Sequence, residues 1–304
     1  MEKIASKKAR FPRWLRQEIP DALSLTKFLA LKNQGVNTVC LEARCPNWFR
    51  CLNQGSLAFM VLGKYCTRNC QFCAVEKSEI KPLPLDNDEP VRILKVVKEL
   101  KLNFVIITSV TRDDLDDGGS EQFAQTIRLI RNYKKDIKIE VLIPDFLGLP
   151  LRKVISSQPD ILAHNLETVP RLYPLLRKEA NYQRSLSVLK QAKKFSNSLI
   201  TKSSLLLGMG ETEKEVIQVM KDLYKVNCDV LILGQYLAPT RRHYPVREFI
   251  TPEQFKRYKD IGLRLRLRAV LSSPLARTSY KAEEVYNSLK KIDKKKCDVY
   301  FPFL

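Results

Sequence analysis

Six of the eight cysteines in this chain lie between positions 40 and 73, in two groups of three. Cys66, Cys70 and Cys73 stand in CTRNCQFC, at spacings of four and three residues. Three thiolates so spaced can converge on one metal site from a single loop. A structural zinc site wants a fourth protein ligand at recognisable spacing, and the only two histidines, His164 and His243, are far away in the chain. A four-iron cluster is held by thiolates, and three of them leave one iron open to an outside ligand. The second triad, Cys40, Cys45 and Cys51 in CLEARCPNWFRC, has wider spacing and predicts a separate metal centre. Zinc or a buried thiol cluster are its competing readings. Clustered cysteines without a secretion signal point to metal or redox chemistry and away from disulfides. Cys228 and Cys297 have no cysteine or histidine nearby and are expected to be packing residues.

These groups need a scaffold. From about Leu57 the chain alternates short apolar runs with amphipathic stretches, the pattern of βα units and a parallel sheet. The runs are Ala58–Leu62, Phe104–Thr108, Ile139–Ile143, Ile161–His164, Leu199–Leu207 and Val230–Leu233. Between them Leu94, Val97 and Leu100 share a helical face, as do Leu186, Leu189, Ala192 and Phe195, and Val216, Met220 and Leu223. Six such units predict an α/β fold, a partial or open barrel rather than a flat sheet. Residues 1–56 form a cysteine-bearing N-terminal extension, 57–268 the barrel, ending in a helix near Pro252–Arg268, and 269–304 a C-terminal extension. In barrel folds the chemistry gathers in the loops after the strands, and the polar residues of this chain collect there. RDDLDDGG reads equally as a binding loop and as a turn that caps a helix. GMGET offers backbone N–H groups to a ligand, or merely starts a helix.

CxxxCxxC after the first strand, with Phe72 before the last cysteine, resembles the radical S-adenosylmethionine (SAM) superfamily. Two adjacent triads narrow the likeness. From about Val39 to Ala282 the chain resembles the lipoyl synthases, through CLEARCPNWFRC, FMVLGKYCTRNCQFCAV, VIITSVTRDDLDDGG, EVLIPDF, HNLETVPRLY, GMGET, GQYLAPT and ARTSYKA. The resemblance implies a partial (β/α)6 TIM-like barrel, two 4Fe-4S clusters and S-adenosyl-L-methionine. By resemblance Cys66, Cys70 and Cys73 hold the cluster that cleaves SAM. Cys40, Cys45 and Cys51 hold an auxiliary cluster, completed by Ser279 of an RSSY motif that reads Arg277-Thr278-Ser279-Tyr280 here. A serine oxygen is a harder donor than thiolate and binds iron more weakly, which suits a cluster that must give up sulfide. Phe72, Thr108, Ser109, Asp113, Asn165, Glu167 and Lys202 are the expected cofactor contacts, with Asn165 and Glu167 able to accept ribose hydroxyls. The sequence departs from the family pattern at Thr278, at Ser204 where glycine is usual, and at Ser273 where glycine precedes proline.

The implied reaction inserts sulfur at C6 and then C8 of an octanoyl chain on a carrier lysine, each round using one SAM, with the auxiliary cluster as sulfur source. Another radical sulfur inserter, biotin-synthase-like or methylthio-transferring, is the alternative; a zinc-stabilised nucleic-acid binder is the rival from another class. The implied partners are octanoylated carrier domains (dehydrogenase E2 subunits, the glycine cleavage H protein), an electron donor such as ferredoxin or flavodoxin, and an iron–sulfur cluster carrier. Lys+Arg of 53 against Asp+Glu of 33 gives a net charge of +20, which suits either plain solubility or docking of an acidic carrier. The Lys residues are spread and form no nucleic-acid stripe, and no apolar run approaches the ~18 residues of a membrane span, so neither partner is expected. The basic N-terminus lacks the apolar core of a secretory signal. A cytoplasmic location is expected, or an organelle matrix if a presequence has been removed.

Overall fold

A computed structural model describes residues 11–17, 20–22, 26, 30, 31, 33–54, 56–78 and 84–299, the last eight as backbone only. The Cys297 side chain lies outside them. Seven parallel strands pair in strict chain order: β1 Leu57–Val61, β2 Phe104–Ser109, β3 Lys138–Leu142, β4 Ile161–Ala163, β5 Ile200–Leu207, β6 Val230–Gln235 and β7 Ala269–Ser272. Among the described residues β1 and β7 do not pair, so the barrel is open. Six strands match the expected runs. The seventh does not: β7 pairs with β6 through Val230↔Ala269 to Leu233↔Ser272, so the sheet continues past residue 268. Its four residues include only one that is fully buried, Val270, and such a strand leaves no apolar run to read.

The helices between strands are α1 Glu89–Glu99, α2 Ser120–Tyr133, α3 Gly148–Ser156, α4 Tyr182–Phe195, α5 Glu213–Lys225 and α6 Pro252–Arg264. Local chemistry sets their starts. Thr212 and Glu215 form a reciprocal capping box on α5, and the Thr251 hydroxyl caps α6 ahead of Pro252. Asp117 caps α2, accepting from the Gly119 and Glu121 N–H groups at 2.8 Å each and from the Ser120 hydroxyl at 2.9 Å. RDDLDDGG thus contains a helix-capping turn.

Side chains alternate across the sheet. Phe59, Val61, Val105, Ile107, Ile139 and Val141 face outward onto Ile93, Val97, Phe123, Ile127 and Ile130 of the helices. Ala58, Phe104, Ile106, Ile161, Ile200 and Val230 face the lumen, where they meet Ala282, Tyr286 and Leu289 of the C-terminal helix α7 Ala282–Val299. The Phe104 and Tyr286 rings meet edge-on at 6.4 Å. Phe104, Ile161, Ile200 and Val230 all begin their strands, so α7 closes the N-terminal end of the barrel. The C-terminal end stays open for the loops. Among the described residues no helix is long and apolar enough to cross a membrane.

Candidate active site

At that open end lies a cavity of about 510 Å³. Two short helices bring the N-terminal triad to it. Cys40 lies on Val39–Glu42, capped by the Thr38 hydroxyl; Cys51 lies on Trp48–Asn53; Cys45 sits in the turn between them. The segment is anchored on the barrel, for the Met60 N–H donates to the Asn37 carbonyl at 2.8 Å. Cys40, Cys45 and Cys51 all line the cavity. So does Ser279, from the opposite end of the chain. Burial and the neighbouring Cys45 and Cys51 push the Cys40 thiol up to about 12. Burial and Cys45 push Cys51 equally to about 12. Burial raises Cys45 too, against the pull of the Asn47 N–H and Arg277. Three crowded, buried thiols repel one another once ionised, and a cationic metal centre removes that conflict.

The second triad rides the loop after β1. Cys73 and Phe72 reach the cavity wall, whereas Cys66 and Cys70 are not among its lining residues. Loop contacts are dense. The Thr67 N–H donates to the Thr111 carbonyl at 3.0 Å, Gln71 N–H to Leu176 O at 2.9 Å, and Tyr244 N–H to Gln71 O at 2.9 Å. Arg68, buried between two cysteines, donates to Asp113 at 2.8 Å and to Asp145 at 2.7 Å. His243 lies 3.1 Å from the Cys73 carbonyl through Nε2, and Lys77 donates to the same oxygen at 3.1 Å. The Arg68 N–H points at Cys66 Sγ at 3.4 Å. Burial raises the Cys73 thiol to about 11, against Lys77; burial raises Cys70, against Arg177.

Of the expected cofactor contacts, Phe72, Thr108, Ser109, Asn165 and Glu167 line the cavity. The Thr108 hydroxyl donates to the Leu142 carbonyl at 2.9 Å, whereas the Ser109 hydroxyl is buried without a partner among the described residues. Glu167 has φ +63°, a conformation that L residues adopt at a cost. Ladder bonds hold it there: Glu167 N–H to Ser204 O and Leu206 N–H to Glu167 O, both 2.9 Å. Asn165 donates to its carboxylate at 2.9 Å. Burial raises the Glu167 pKa, opposed first by Arg177 and also by Arg277. Those two arginines are each felt by one thiol triad, Arg177 by Cys70 and Arg277 by Cys45.

Asp113 and Lys202 lie elsewhere. Asp113 faces away from the cavity and pairs with Arg68. Lys202 is fully buried and pairs with Glu140 of β3 in the lumen below Ser204. Burial raises Glu140 and lowers Lys202. In GMGET, the Gly208 and Met209 N–H groups both donate to the Glu211 carboxylate, so that loop spends them on itself. Cys228 is buried in the outer core. Arg68, Arg177 and His243 did not stand out as site residues from sequence, whereas Thr278 did, as a hydroxyl beside Ser279. The signal for Arg68 was a charged residue inside a cysteine loop, with aspartates after the next two strands.

The radical SAM superfamily profile matches residues 60–223. A lipoyl synthase from Caldicellulosiruptor saccharolyticus is 50% identical over 276 residues, spanning 90% of this chain and 96% of that protein. The chain belongs to the lipoyl synthase family. A second lipoyl synthase, from Aquifex aeolicus, is 50% identical over 256 residues, 84% of this chain and 92% of the relative. Among solved structures the FeFe-hydrogenase maturase HydG from Carboxydothermus hydrogenoformans superposes with a TM-score of 0.57 at 15% identity, over 79% of this chain and 66% of that one. Methylornithine synthase gives 0.52 at 15% identity, over 78% and 81%. At such identities the likeness shows the fold alone, and it is the radical SAM barrel.

This lipoyl synthase family member is therefore an enzyme, a radical SAM sulfurtransferase, and the superfamily implies a 4Fe-4S cluster with SAM. The donor set fits. Soft thiolates are the ligands of choice for iron–sulfur clusters, and the unpartnered Ser109 hydroxyl leaves a buried polar atom for a ligand to satisfy.

Proposed function

We propose that this enzyme inserts two sulfur atoms, at C6 and C8, into an octanoyl chain borne on a carrier lysine. The observation that carries the reading is the shared cavity, whose walls include Cys40, Cys45, Cys51 and Ser279 together with Cys73, Asn165 and Glu167. Cys66, Cys70 and Cys73 would hold one four-iron cluster. Cys40, Cys45, Cys51 and Ser279 would hold a second. When bound, these groups and SAM supply the electron, the hydrogen-abstracting radical and the sulfur.

The chain itself orients and insulates. Phe72 and Tyr236 give the cavity apolar walls beside Leu205, Leu206 and Leu237, which suits an acyl chain and excludes water. Asn165 and Glu167 present acceptors for ribose hydroxyls, and Ser109 adds a further hydroxyl. Phe72, Thr108, Ser109, Asn165 and Glu167 are the SAM contacts we assign; Asp113 and Lys202 would act through the residues they support. Arg44 is exposed at the cavity rim, and exposed Arg241 and Arg242 follow the cavity-lining Pro239. On a chain of +20 such a rim would steer acidic carriers, E2 lipoyl domains or an H protein, at a rate that falls with added salt. A ferredoxin or flavodoxin would supply electrons, and a cluster carrier would rebuild the auxiliary centre. We place the reaction in the cytoplasm or an organelle matrix.

The test is an anaerobic turnover of cluster-loaded protein with SAM, a strong reductant and an octanoyl-lysine carrier peptide, followed by mass spectrometry. Dithiolated peptide with 5′-deoxyadenosine is the expected outcome. Deoxyadenosine without peptide product, from protein holding both clusters, would remove the octanoyl substrate from the proposal.

A further inference from the structure

Thr278 immediately precedes Ser279 and is buried. Its hydroxyl oxygen lies 2.8 Å from Asn165 Nδ2, 3.1 Å from Asn165 Oδ1 and 2.9 Å from Ser204 Oγ. It accepts from the Asn165 amide N–H and can donate to Asn165 Oδ1, and either hydroxyl can donate in its bond with Ser204. The two partners belong to different barrel units: Ser204 lies on β5, and Asn165 on the loop after β4. Both of them line the cavity, and Ser204 is itself buried. Branching at Cβ leaves threonine few rotamers, so the direction of this hydroxyl, and with it the backbone at 278, is held firmly.

Elsewhere the segment is held by backbone bonds and by the Asn47 side-chain amide, which donates to the Leu275 carbonyl at 2.6 Å. The Ser273 N–H donates to Leu233 O at 3.1 Å, Gln235 N–H to Pro274 O at 3.0 Å, and Tyr280 N–H to Arg277 O at 2.9 Å. From Arg277 to Ser279 the one side-chain hydroxyl that reaches across to the barrel strands is that of Thr278. Ser204 and Thr278 are also two of the positions at which the sequence departs from the pattern it otherwise follows. In the fold their hydroxyls are partners at 2.9 Å.

We propose that Thr278 is the positioning residue for Ser279. Ser204 and Asn165 hold the Thr278 hydroxyl and so fix where Ser279 meets the wall it shares with Cys40, Cys45 and Cys51. The inference rests on reading Ser279 as the fourth corner of the auxiliary site.

The experiment follows iron release to bathophenanthroline disulfonate from the anaerobically loaded full-length protein, with melting of the metal-free chain as a fold control. Thr278→Val keeps the shape and removes the hydroxyl; it should speed loss of the auxiliary fraction of the iron about five-fold, the factor that one neutral hydrogen bond commonly carries. Ser204→Ala should shift the rate in the same direction by less, and Thr278→Ser should stay near wild type. Ser279→Ala should also speed release, and adding Thr278→Val to it should change nothing further, because both act through one bond. An unchanged rate in Thr278→Val, or multiplying effects in the double variant, would overturn the positioning role alone. If Ser279→Ala itself left iron release unaltered, the Ser279 assignment and this inference would fall together. Should Thr278→Val not fold, Ser204→Ala paired with Ser279→Ala reads the same non-additivity.

Discussion

The side-chain amide of Asn47 donates to the Leu275 carbonyl across 2.6 Å, joining the N-terminal cysteine segment to the segment that carries Ser279. Asn47 is wholly buried, and its backbone N–H also reaches Cys45. One residue therefore holds two parts of a site separated by most of the chain. Asn47→Leu should strand the Leu275 carbonyl and cost about 1–3 kcal/mol of stability. It should lower the iron retained by the N-terminal triad and leave SAM cleavage largely intact. Iron content and deoxyadenosine yield on the same preparation check this; equal loss of both would mean a general folding defect.

Gly234 lies on β6 where the C-terminal segment crosses. A Cβ placed there would stand 2.0 Å from the Ala276 carbonyl oxygen, a backbone atom that cannot swing aside. Gly234→Ala should displace residues 276–279 and reduce peptide thiolation at least ten-fold, the order that small misplacements at a reacting centre cost. Binding of SAM should survive, as calorimetry would show. Normal thiolation would mean that the segment tolerates the shift.

Arg68 secures the other triad. Arg68→Ala leaves buried Asp145 with His164 and with Arg184 at 3.7 Å, and the loss of its charged hydrogen bond is expected to cost about 1.5–3 kcal/mol. Lysine should not rescue it, because it cannot reproduce the two-sided guanidinium contact. Electron paramagnetic resonance of the reduced protein should lose the signal of the cluster on Cys66, Cys70 and Cys73 and keep the other. Retention of both signals in Arg68→Lys would show that charge alone suffices.

Lys202 and Glu140 form a closed pair within the lumen. Lys202→Met alone should destabilise the fold by about 3–5 kcal/mol, by leaving a carboxyl buried and unpaired. Replacing both, with Glu140→Leu, should restore most of that stability. If the double variant then binds SAM as wild type does, Lys202 serves the barrel floor. Weak SAM binding in a stable double variant would instead make Lys202 a cofactor contact.

Burial holds the Cys40 and Cys51 thiols at about 12, above the ordinary 9.0. An acid whose pKa is higher in the folded than in the unfolded state stabilises the fold fully below the unfolded value and loses that contribution as pH rises. The metal-free chain should therefore weaken progressively between pH 9 and pH 12. A Cys40→Ala/Cys51→Ala variant should weaken less over the same window. Urea midpoints measured across that range provide the comparison, and parallel curves for the two proteins would contradict it.

The strands were legible because parallel strands buried on both faces appear as unbroken apolar runs. The triads were legible because their spacing is local. Depth along a strand was not: nothing in TKSS distinguishes Lys202, near the floor, from Ser204 at the cavity, although alternation puts both on one face. Partners across long sequence distances were equally hidden, as with Asn47 and Leu275, or Thr278 with Asn165 and Ser204. A glycine inside VLILGQ marks a place where another backbone comes close, and at Gly234 that backbone is the Ser279 segment.

The proposed sulfur source is the cluster on the N-terminal triad. The most direct measurement is mass spectrometry of peptide product from protein whose clusters were rebuilt with isotopically heavy sulfide. Product carrying heavy sulfur at both positions, and none at all from Cys45→Ala protein that still makes deoxyadenosine, is the predicted result. Thiolated peptide bearing sulfur of natural isotopic composition would mean that the sulfur comes from elsewhere.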